Sequence, residues 1–334
     1  MSQVRQTETN ARLALARLFA PVASELAAVD RRLEQELRHS DPFIDELAQH
    51  SFRIGGKRLR PALLFLAARA IGEITDSHRT LAAVVEMVHT ATLVHDDVLD
   101  DAEIRRHLDT VNARWNNQTS VLLGDYLFTH AFYLASTLET TFGCRTIGEA
   151  TNAVCEGELR QTAAAGNFWL SRADYLSIIE AKTAELCACC SRLGAHYAGA
   201  DETTVERLTK FGRQLGIAFQ IVDDLLDLEG EEQTTGKSLG TDLAHRKMTL
   251  PLVYLRDQLN KADAARLQGL FEEADASHAA MLLHWLEESG ALQYARGIAA
   301  EYAEQAIAEL APLQESNAKQ ALVELARFVV ARNT

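Results

Sequence analysis

The strongest chemical signal in this sequence is a tight acidic group, residues 95–101, which read HDDVLDD. If the segment is helical, Asp96 and Asp100 share a face, because residues four apart are neighbours on a helix. Asp97 and Asp101 are then turned from them by about 100°. Four carboxylates within two turns repel one another. A hard, oxygen-seeking cation such as Mg²⁺ would relieve the repulsion, with substrate phosphates and water filling its other positions.

A second acidic group, residues 223–227 (DDLLD), repeats this spacing at the end of another apolar segment. Its carboxylates belong to Asp223, Asp224 and Asp227. Two such groups facing each other across a helical bundle would hold metal ions that bridge a diphosphate from both sides. Each group alone is also consistent with a solvated acidic helix end. The repeated pattern favours the metal interpretation.

Basic residues that suit an anionic substrate lie in three places. The first is a glycine turn before a predicted helix, whose first N–H groups are unpaired and can bind phosphate. Taken singly, each cation is more simply a surface charge, but together they flank both acidic groups. They are Lys57, Arg58 and Arg60 in the segment GGKRLRP, Arg105 and Arg106 after the first acidic group, and Lys237 and Lys247 after the second.

A Glu-x-x-His pair, Glu86 and His89, offers a competing metal site, because di-iron bundle proteins use this unit twice. We find no second copy, so an oxidising di-iron centre is not expected. His89 lies seven residues before Asp96, close to two helical turns, and should share its face. A core role and a substrate-binding role for this histidine are equally open.

The charge balance narrows the classes of partner. The 334 residues carry a formal net charge of −14, which argues against nucleic acids and anionic membranes, since both require an electropositive face. At face value it also argues against a polyanionic substrate. Seven of the 47 acidic residues, however, lie in the two acidic groups, where bound metal would reverse the local sign.

The elements that must position these residues are helices, because apolar residues recur at spacings of three and four and strand-like alternation is nearly absent. No proline occurs between Pro61 and Pro251, so long helices can run uninterrupted. We expect an all-α bundle. The predicted helices cover 8–38, 61–72, 77–100, 118–138, 145–165, 171–198 and 202–228, with shorter helices over 250–332. A bend is expected at Pro21, and a further helix should start at Pro42 with Asp41 as its cap. Breaks are expected at Gly143, Gly166 and Gly199, together with a loop over 105–112 and a polar segment over 230–247.

Cysteine usage and the absence of export signals bear on location. Five cysteines, an odd number without zinc-like spacing, favour small buried residues in a reducing compartment. No signal peptide or apolar run of membrane-spanning length is visible. We therefore expect a cytoplasmic protein, and since no linker divides the chain, one domain over residues 1–334.

The chain resembles the trans-polyprenyl diphosphate synthase family, the head-to-tail isoprenyl chain elongators. The order and spacing of short motifs carry the resemblance over nearly the whole chain. It implies long antiparallel helices around a deep central cavity, usually in a homodimer. The motifs are the GGKRLRP segment, the first acidic group with its arginine pair, Gly124-Asp125-Tyr126, Lys182-Thr183, Phe219-Gln220, the second acidic group, Gly236-Lys237 and Thr249-Leu250-Pro251.

The resemblance also implies the substrates and the residue roles. The substrates would be isopentenyl diphosphate and an allylic diphosphate, with three Mg²⁺ per active site. The metal ligands would be Asp96, Asp97 and Asp100 on one wall and Asp223, Asp224 and Asp227 on the other. The allylic diphosphate would be held by Arg105. Isopentenyl diphosphate would be held by Lys57, Arg60, His89 and Arg106. The allylic substrate near its leaving group would be contacted by Lys182, Thr183, Gln220 and Lys237. The expected catalytic residues are Asp96, Asp97, Asp100, Arg105, Lys182 and Asp223.

Two positions depart from the family pattern. His107 and Arg246 stand where many members have glycine. The departures leave the local loop shape open but do not affect the expected chemistry. In that chemistry the allylic C–O bond breaks, the double bond of isopentenyl diphosphate attacks the cation, and a proton is lost. Metals and cations would stabilise charge on the leaving oxygens, with water excluded.

Product length should depend on how deep the growing tail can descend. Thr92 and Ala91, four and five residues before Asp96, are small where short-chain members often have aromatic residues. We therefore expect a long-chain all-trans product, and we expect Ala91→Phe to shorten it. The alternative is that these small residues only permit close helix packing and that the product is farnesyl or geranylgeranyl diphosphate. A deeper floor is one interpretation of three aromatic residues spaced on one helix face, and a simple core role is the more usual alternative; they are Phe128, Phe132 and Tyr133.

Two rivals from other classes remain. A class I terpene cyclase also ionises a diphosphate on aspartate-bound Mg²⁺, but it needs no second diphosphate site, which Lys57, Arg60 and Arg106 resemble. A regulatory subunit that keeps the fold without activity would be expected to lose one acidic group. Both groups are intact here.

Overall fold

The computed structural model describes residues 13–53, 56–229, 241–273 and 276–332, and within these ranges the chain is almost entirely helical. The all-α prediction is therefore confirmed. Lys237, predicted to bind substrate, lies outside the described residues, as does the start of the first predicted helix.

The first half of the chain forms eight helices and one small hairpin among the described residues. Strands β1 (Ile104–Arg105) and β2 (Leu108–Asp109) pair antiparallel within the predicted loop. A 3₁₀ turn at Ala20–Val22, which contains Pro21, interrupts the predicted first helix. The helices are α1 (13–18), α2 (Ala23–Glu36), α3 (Pro42–Arg53), α4 (Leu59–Ile71), α5 (Asp76–Leu99), α6 (Val111–Arg114), α7 (Asn117–Ser136) and α8 (Phe142–Ala164).

The second half begins with a helix that changes its winding. Helix α9 (Arg172–Ile179) continues through a π-helical segment (Glu180–Ala184) into α10 (Glu185–Tyr197). The remaining helices are α11 (Glu202–Glu229), α12 (Thr241–Ala244), α13 (Leu250–Gln258), α14 (Lys261–Glu273), α15 (Ala276–Glu288), α16 (Ala291–Glu309) and α17 (Asn317–Ala331).

Local sequence explains most helix ends. The Asp41 side chain accepts the N–H groups of Phe43 and Ile44 at the start of α3, at 2.8 and 3.3 Å, as predicted for an N-cap. Gly166 and Gly199 end their helices with φ of 76° and 85°. The predicted break before α8 is present at residues 137–141, but Gly143 itself does not form it, because it is already the second residue of α8. A Cβ there would lie 2.9 Å from Leu81 Cδ2, so the glycine serves close packing.

Helix α5 runs through the centre of the bundle. Residues 81–88 are all buried, because α5 packs against α4, α7, α2 and α10. Helix α11 packs against α10 and α16 and joins two apolar clusters. The acidic group of α5 (residues 95–101) and that of α11 (residues 223–227) both lie near the C-terminal ends of these two helices. Among the helices that the structure describes, none is long and apolar enough to cross a bilayer.

The π-helical segment is held between glycines of two other helices. A Cβ on Gly157 of α8 would lie 2.6 Å from the backbone nitrogen of Lys182. A Cβ on Gly216 of α11 would lie 2.5 Å from the Cα of Ala184. Both distances are shorter than any normal contact, so only glycine permits this approach.

We expect Gly157→Ala to lower the free energy of unfolding by about 1–3 kcal/mol, the usual effect of overpacking. Gly297→Ala in α16 is the matched control, since nothing lies within 4 Å of a Cβ at that position. Loss of backbone entropy in the unfolded chain should make this control more stable by roughly 0.5–1 kcal/mol. Thermal unfolding of both variants checks the prediction. Equal melting temperatures would contradict the packing argument.

Candidate active site

The carboxylates of the first acidic group differ in how deeply they are buried. Asp97 is 2% exposed and accepts a hydrogen bond from Nε of Arg105 at 2.7 Å. Asp96 and Asp100 are half-buried on the neighbouring face. This arrangement gives Asp97 the role of holding Arg105 in place, while Asp96 and Asp100 have the accessible carboxylates.

Charged groups from two other elements lie close to Asp96. Burial raises its pKa to about 6; Lys182 opposes the rise, and the carboxylates of Glu158 and Asp100 add to it. Glu158 belongs to α8 and forms an ion pair with Lys182 of the π-helical segment. Helix α5, α8 and the π-helical segment therefore bring their charges to one place. A cation there would relieve the carboxylate repulsion.

The second acidic group is likewise divided. Asp224 is 6% exposed, and its two oxygens accept hydrogen bonds from Tyr175 Oη at 2.6 Å and Gln220 Nε2 at 2.8 Å. Thr183 in turn donates to Gln220 Oε1 at 2.7 Å. Burial, followed by the charge of Asp242, raises the pKa of Asp224 to about 8. Asp224 is buried and each of its oxygens accepts a hydrogen bond inside the protein, so it orients Gln220 and is less accessible to a metal ion than an exposed carboxylate.

The first aspartate of this group contacts the residue that directly follows the last described helix. Arg332, directly after α17, donates from Nη2 to Asp223 Oδ1 at 2.6 Å and to the Phe219 carbonyl at 2.9 Å. Its guanidinium also lies 4.0 Å from the centre of the Phe219 ring. The Asp223 side chain remains 42% exposed, so its carboxylate keeps access to a ligand.

One lysine connects the two acidic groups. Lys247 Nζ lies 3.5 Å from Asp100 Oδ1 and 3.5 Å from Asp242 Oδ1. The backbone N–H of Asp242 donates to Asp227 Oδ2 at 3.0 Å. Burial lowers the pKa of Lys247, but Asp242 and Asp100 outweigh this effect and the net pKa is raised. The two groups, more than 120 positions apart in the sequence, are thus joined through Lys247 and Asp242.

A second cluster consists of cations around His89. The pKa of His89 is held well below its ordinary value by burial and by the nearby arginines Arg60, Arg106, Arg105 and Arg58. The imidazole is therefore neutral at pH 7 and acts as a hydrogen-bonding group. The buried Nε of Arg60 has no hydrogen-bond partner among the described residues. Arginines around a neutral imidazole fit a diphosphate, and Arg60 and Arg106 are the two of them predicted to bind isopentenyl diphosphate.

Gly56 allows two of the basic motifs to meet. A Cβ at this position would lie 3.1 Å from Arg106 Nη1. Gly56 of the GGKRLRP segment therefore lies directly against Arg106, the second arginine after the first acidic group. Lys57, next to it, is exposed.

His107 and Arg246, which stand where many members of the family have glycine, keep a backbone conformation typical of glycine. His107 has φ of 64° and Arg246 has φ of 51°, both in the left-handed region that favours glycine. Arg106 also has a positive φ, 52°. The loops therefore keep the shape that glycine would allow, at an expected cost of about 1–2 kcal/mol per residue.

The residues predicted to set product length differ in accessibility. Thr92 is half-buried on the face of Asp96, whereas Ala91 is fully buried. Phe128 stacks on His95 with ring centres 6.0 Å apart, and Phe132 is half-buried. Tyr133 is 63% exposed, so the prediction that it shares their face is wrong. Tyr133 lies five positions after Phe128 on the helix, a rotation of about 140° from that face.

The donors fit the Mg²⁺ that the resemblance implies. In the described ranges no three His, Cys, Asp or Glu side chains converge on one metal position. Mg²⁺ usually takes only one or two protein carboxylates and fills its octahedron with substrate phosphate and water. Asp96 with Asp100, and Asp223 with Asp227, offer such pairs of oxygen donors.

Four site residues had no role in the sequence-based prediction. Glu158 pairs with Lys182, Tyr175 with Asp224, Asp242 with Lys247, and Arg332 with Asp223. Three of these contacts join separate helices or segments, so no local spacing indicates them; Asp242 and Lys247 are only five residues apart, but they lie in a polar stretch without helical periodicity.

Comparisons with known proteins agree with this geometry. The family model described as Polyprenyl synthetase matches residues 41–287. An octaprenyl diphosphate synthase from Haemophilus influenzae is 37% identical over 310 residues, covering 92% of this chain and 94% of that protein. The crystal structure of a decaprenyl diphosphate synthase from Rhodobacter capsulatus has a TM-score of 0.90 at 36% identity and covers 96% of this chain and 99% of its own. Polyprenyl synthase from Caulobacter crescentus, complexed with calcium and isoprenyl diphosphate, has a TM-score of 0.90 at 38% identity over 96% of this chain and 98% of its own.

Proposed function

Because the chain belongs to the polyprenyl synthetase family and is a prenyltransferase, we propose that it condenses isopentenyl diphosphate with an allylic diphosphate to make a long-chain all-trans polyprenyl diphosphate. The observation that carries the proposal is the contact series from Asp100 through Lys247 and Asp242 to Asp227. It joins the two acidic groups in one part of the fold. The octaprenyl and decaprenyl products named for its relatives support the long chain.

The first step is ionisation of the allylic diphosphate. When bound, three Mg²⁺ would neutralise the leaving diphosphate and so favour breakage of the C–O bond. Asp96, Asp100 and Asp223 would hold these ions, with Asp227 near by. Lys182, fixed by Glu158, and Arg105, fixed by Asp97, would supply positive charge to the departing oxygens.

The second step uses the cation cluster around His89. Lys57, Arg60 and Arg106 would bind the diphosphate of isopentenyl diphosphate, and the neutral His89 would donate a hydrogen bond to it. Bound there, the substrate presents its double bond to the allylic cation. A new C–C bond forms, and the proton lost in the elimination passes to the released diphosphate.

We further infer a homodimer, the state that the resemblance implies. Helix α7 supports this state, because Leu122 and Tyr133 lie three turns apart on one face and are 60% and 63% exposed. Leu159 of the neighbouring α8 is 71% exposed. A second copy would bury these apolar side chains. A cytoplasmic location likewise stays a prediction, in keeping with five cysteines that are all free thiols.

Product analysis tests the proposed function. Purified protein would be incubated with Mg²⁺, labelled isopentenyl diphosphate and, in parallel, dimethylallyl, geranyl or farnesyl diphosphate. We expect labelled polyprenyl products of octaprenyl to decaprenyl length, and none after removal of the metal with a chelator. Short farnesyl or geranylgeranyl products would support the medium-chain alternative. An unlabelled cyclic hydrocarbon would indicate a terpene cyclase, and the absence of product from every primer would contradict the proposal.

A further inference from the structure

The three cations of the GGKRLRP segment have different surroundings. Lys57 is exposed and Arg60 is half-buried beside His89. Arg58, between them, already has two carboxylate partners from other helices: its Nε donates to Asp30 at 2.8 Å and its Nη1 to Glu86 at 2.6 Å. Its guanidinium is therefore neutralised within the protein.

We propose that Arg58 is a positioning residue for isopentenyl diphosphate, which holds Lys57 and Arg60 in place without contacting the substrate. The inference deepens the proposed function and rests on it. It assigns a role to Arg58, the one cation of the GGKRLRP segment for which no substrate contact is proposed.

The backbone at this position needs an anchor. Arg58 has φ of 52° and ψ of 33°, and it precedes α4 without a side-chain cap of its own. Its carbonyl oxygen accepts the N–H of Ala62 at 3.0 Å. A left-handed conformation is unfavourable for a residue other than glycine and persists only where the surrounding structure enforces it. The two ion pairs of the side chain provide that enforcement.

The ion pairs connect the turn to the helix that forms the rest of the site. Glu86 is 2% exposed and precedes His89 on α5 by about one turn. Asp30 lies on α2, on the other side of the turn. Arg58 thus bridges α2 and α5, and the segment that contains Lys57 and Arg60 cannot shift relative to His89 unless one pair breaks.

Glu86 gains a matching explanation. Its Glu-x-x-His pairing with His89 suggested a metal ligand in the sequence, but in the structure its carboxylate binds Arg58. A buried carboxylate without that partner would be strongly unfavourable. The position therefore serves the diphosphate site indirectly, through the turn.

Steady-state kinetics of Arg58→Lys and Glu86→Gln test the inference. Lysine keeps the charge, but it cannot donate in the fixed fork that joins two carboxylates. We expect the KM for isopentenyl diphosphate to rise about tenfold, as when other supporting hydrogen bonds of a site are lost. The KM for the allylic substrate and kcat should stay within about twofold. The double variant should be no worse than the poorer single one, because both changes break the same contact.

Arg69→Met is the matched control. Arg69 lies on the same helix, α4, and also pairs with a carboxylate of α2, donating to Glu25 at 3.1 Å. We expect this variant to keep both KM values. Circular dichroism would confirm that each variant is folded; if Glu86→Gln is not, Arg58→Lys carries the test alone.

The outcomes separate the inference from the proposed function. A wild-type protein that does not elongate would defeat the proposed function itself. An active wild type together with an unchanged KM for isopentenyl diphosphate in Arg58→Lys would overturn only the positioning role. Equal rises in both KM values would also overturn it, since they would indicate general loosening of the fold.

Discussion

Replacing Asp96 by asparagine is expected to lower turnover by roughly 10²–10³-fold, the usual effect of removing one group that stabilises developing charge. Asparagine keeps the size of the side chain but loses the charge that would bind Mg²⁺. The variant should fold, because burial raises the pKa of Asp96 to about 6. A carboxyl whose pKa is raised on folding destabilises the ionised folded state at pH 7, so its removal should leave the melting temperature equal or higher.

Asp101→Asn provides the control within the same acidic group. Asp101 is exposed and has φ of 47°, a conformation that asparagine adopts readily. We expect its turnover to stay within about twofold of the wild type. Initial rates with saturating substrates and Mg²⁺, together with thermal melts, check both variants. Normal Mg²⁺-dependent turnover in Asp96→Asn would defeat the metal role of this position.

Aromatic substitution one turn before Asp96 is expected to shorten the product. Thr92 lies on the accessible face with Asp96, so Thr92→Phe should block the descent of the chain and leave ionisation intact. Ala91→Phe should also shorten the product, but it inserts a ring where the wild-type side chain is fully buried. Such overpacking should lower the free energy of unfolding by about 1–3 kcal/mol.

Chromatography of products from labelled isopentenyl diphosphate measures the chain-length distribution of both variants. Leu99→Phe is a suitable control, since Leu99 is on the same helix and 61% exposed; its products should match those of the wild type. An unchanged distribution in Thr92→Phe and Ala91→Phe alike would show that the tail takes another route.

Helices and their caps were predictable because their signals are local. The proline at the start of α3, its Asp41 cap and the glycines after α8 and α10 each act within a few residues. Gly143 misled the prediction, because the same residue type marks a helix end or a close helix contact, and only the partner helix decides which. The hairpin at 104–109 was missed since strands of two residues are too short for an alternating pattern.

The acidic and basic motifs were predictable as types, but their partners were not. The spacing of the aspartates indicated metal binding from sequence alone. It did not indicate that Asp97 and Asp224 are buried against Arg105 and Tyr175, because those contacts depend on how separate helices pack. The net charge also misled, because it argued against a polyanionic substrate. It averages over the whole chain, whereas the cations that would bind such a substrate lie together around His89.

The π-helical segment at Glu180–Ala184 is a place inside a long helix where the chain carries one extra residue. A π turn contains one residue more than an α-helical turn, so the residue after it takes nearly the rotational position that the end of an α turn would have. Deletion of one residue there would restore α-helical winding, while α9 and the buried cysteines of α10 keep their faces. The change would fall on the side chains of the segment itself, including Lys182 and its pairing with Glu158. The extra residue thus turns these side chains without turning the helices that flank them.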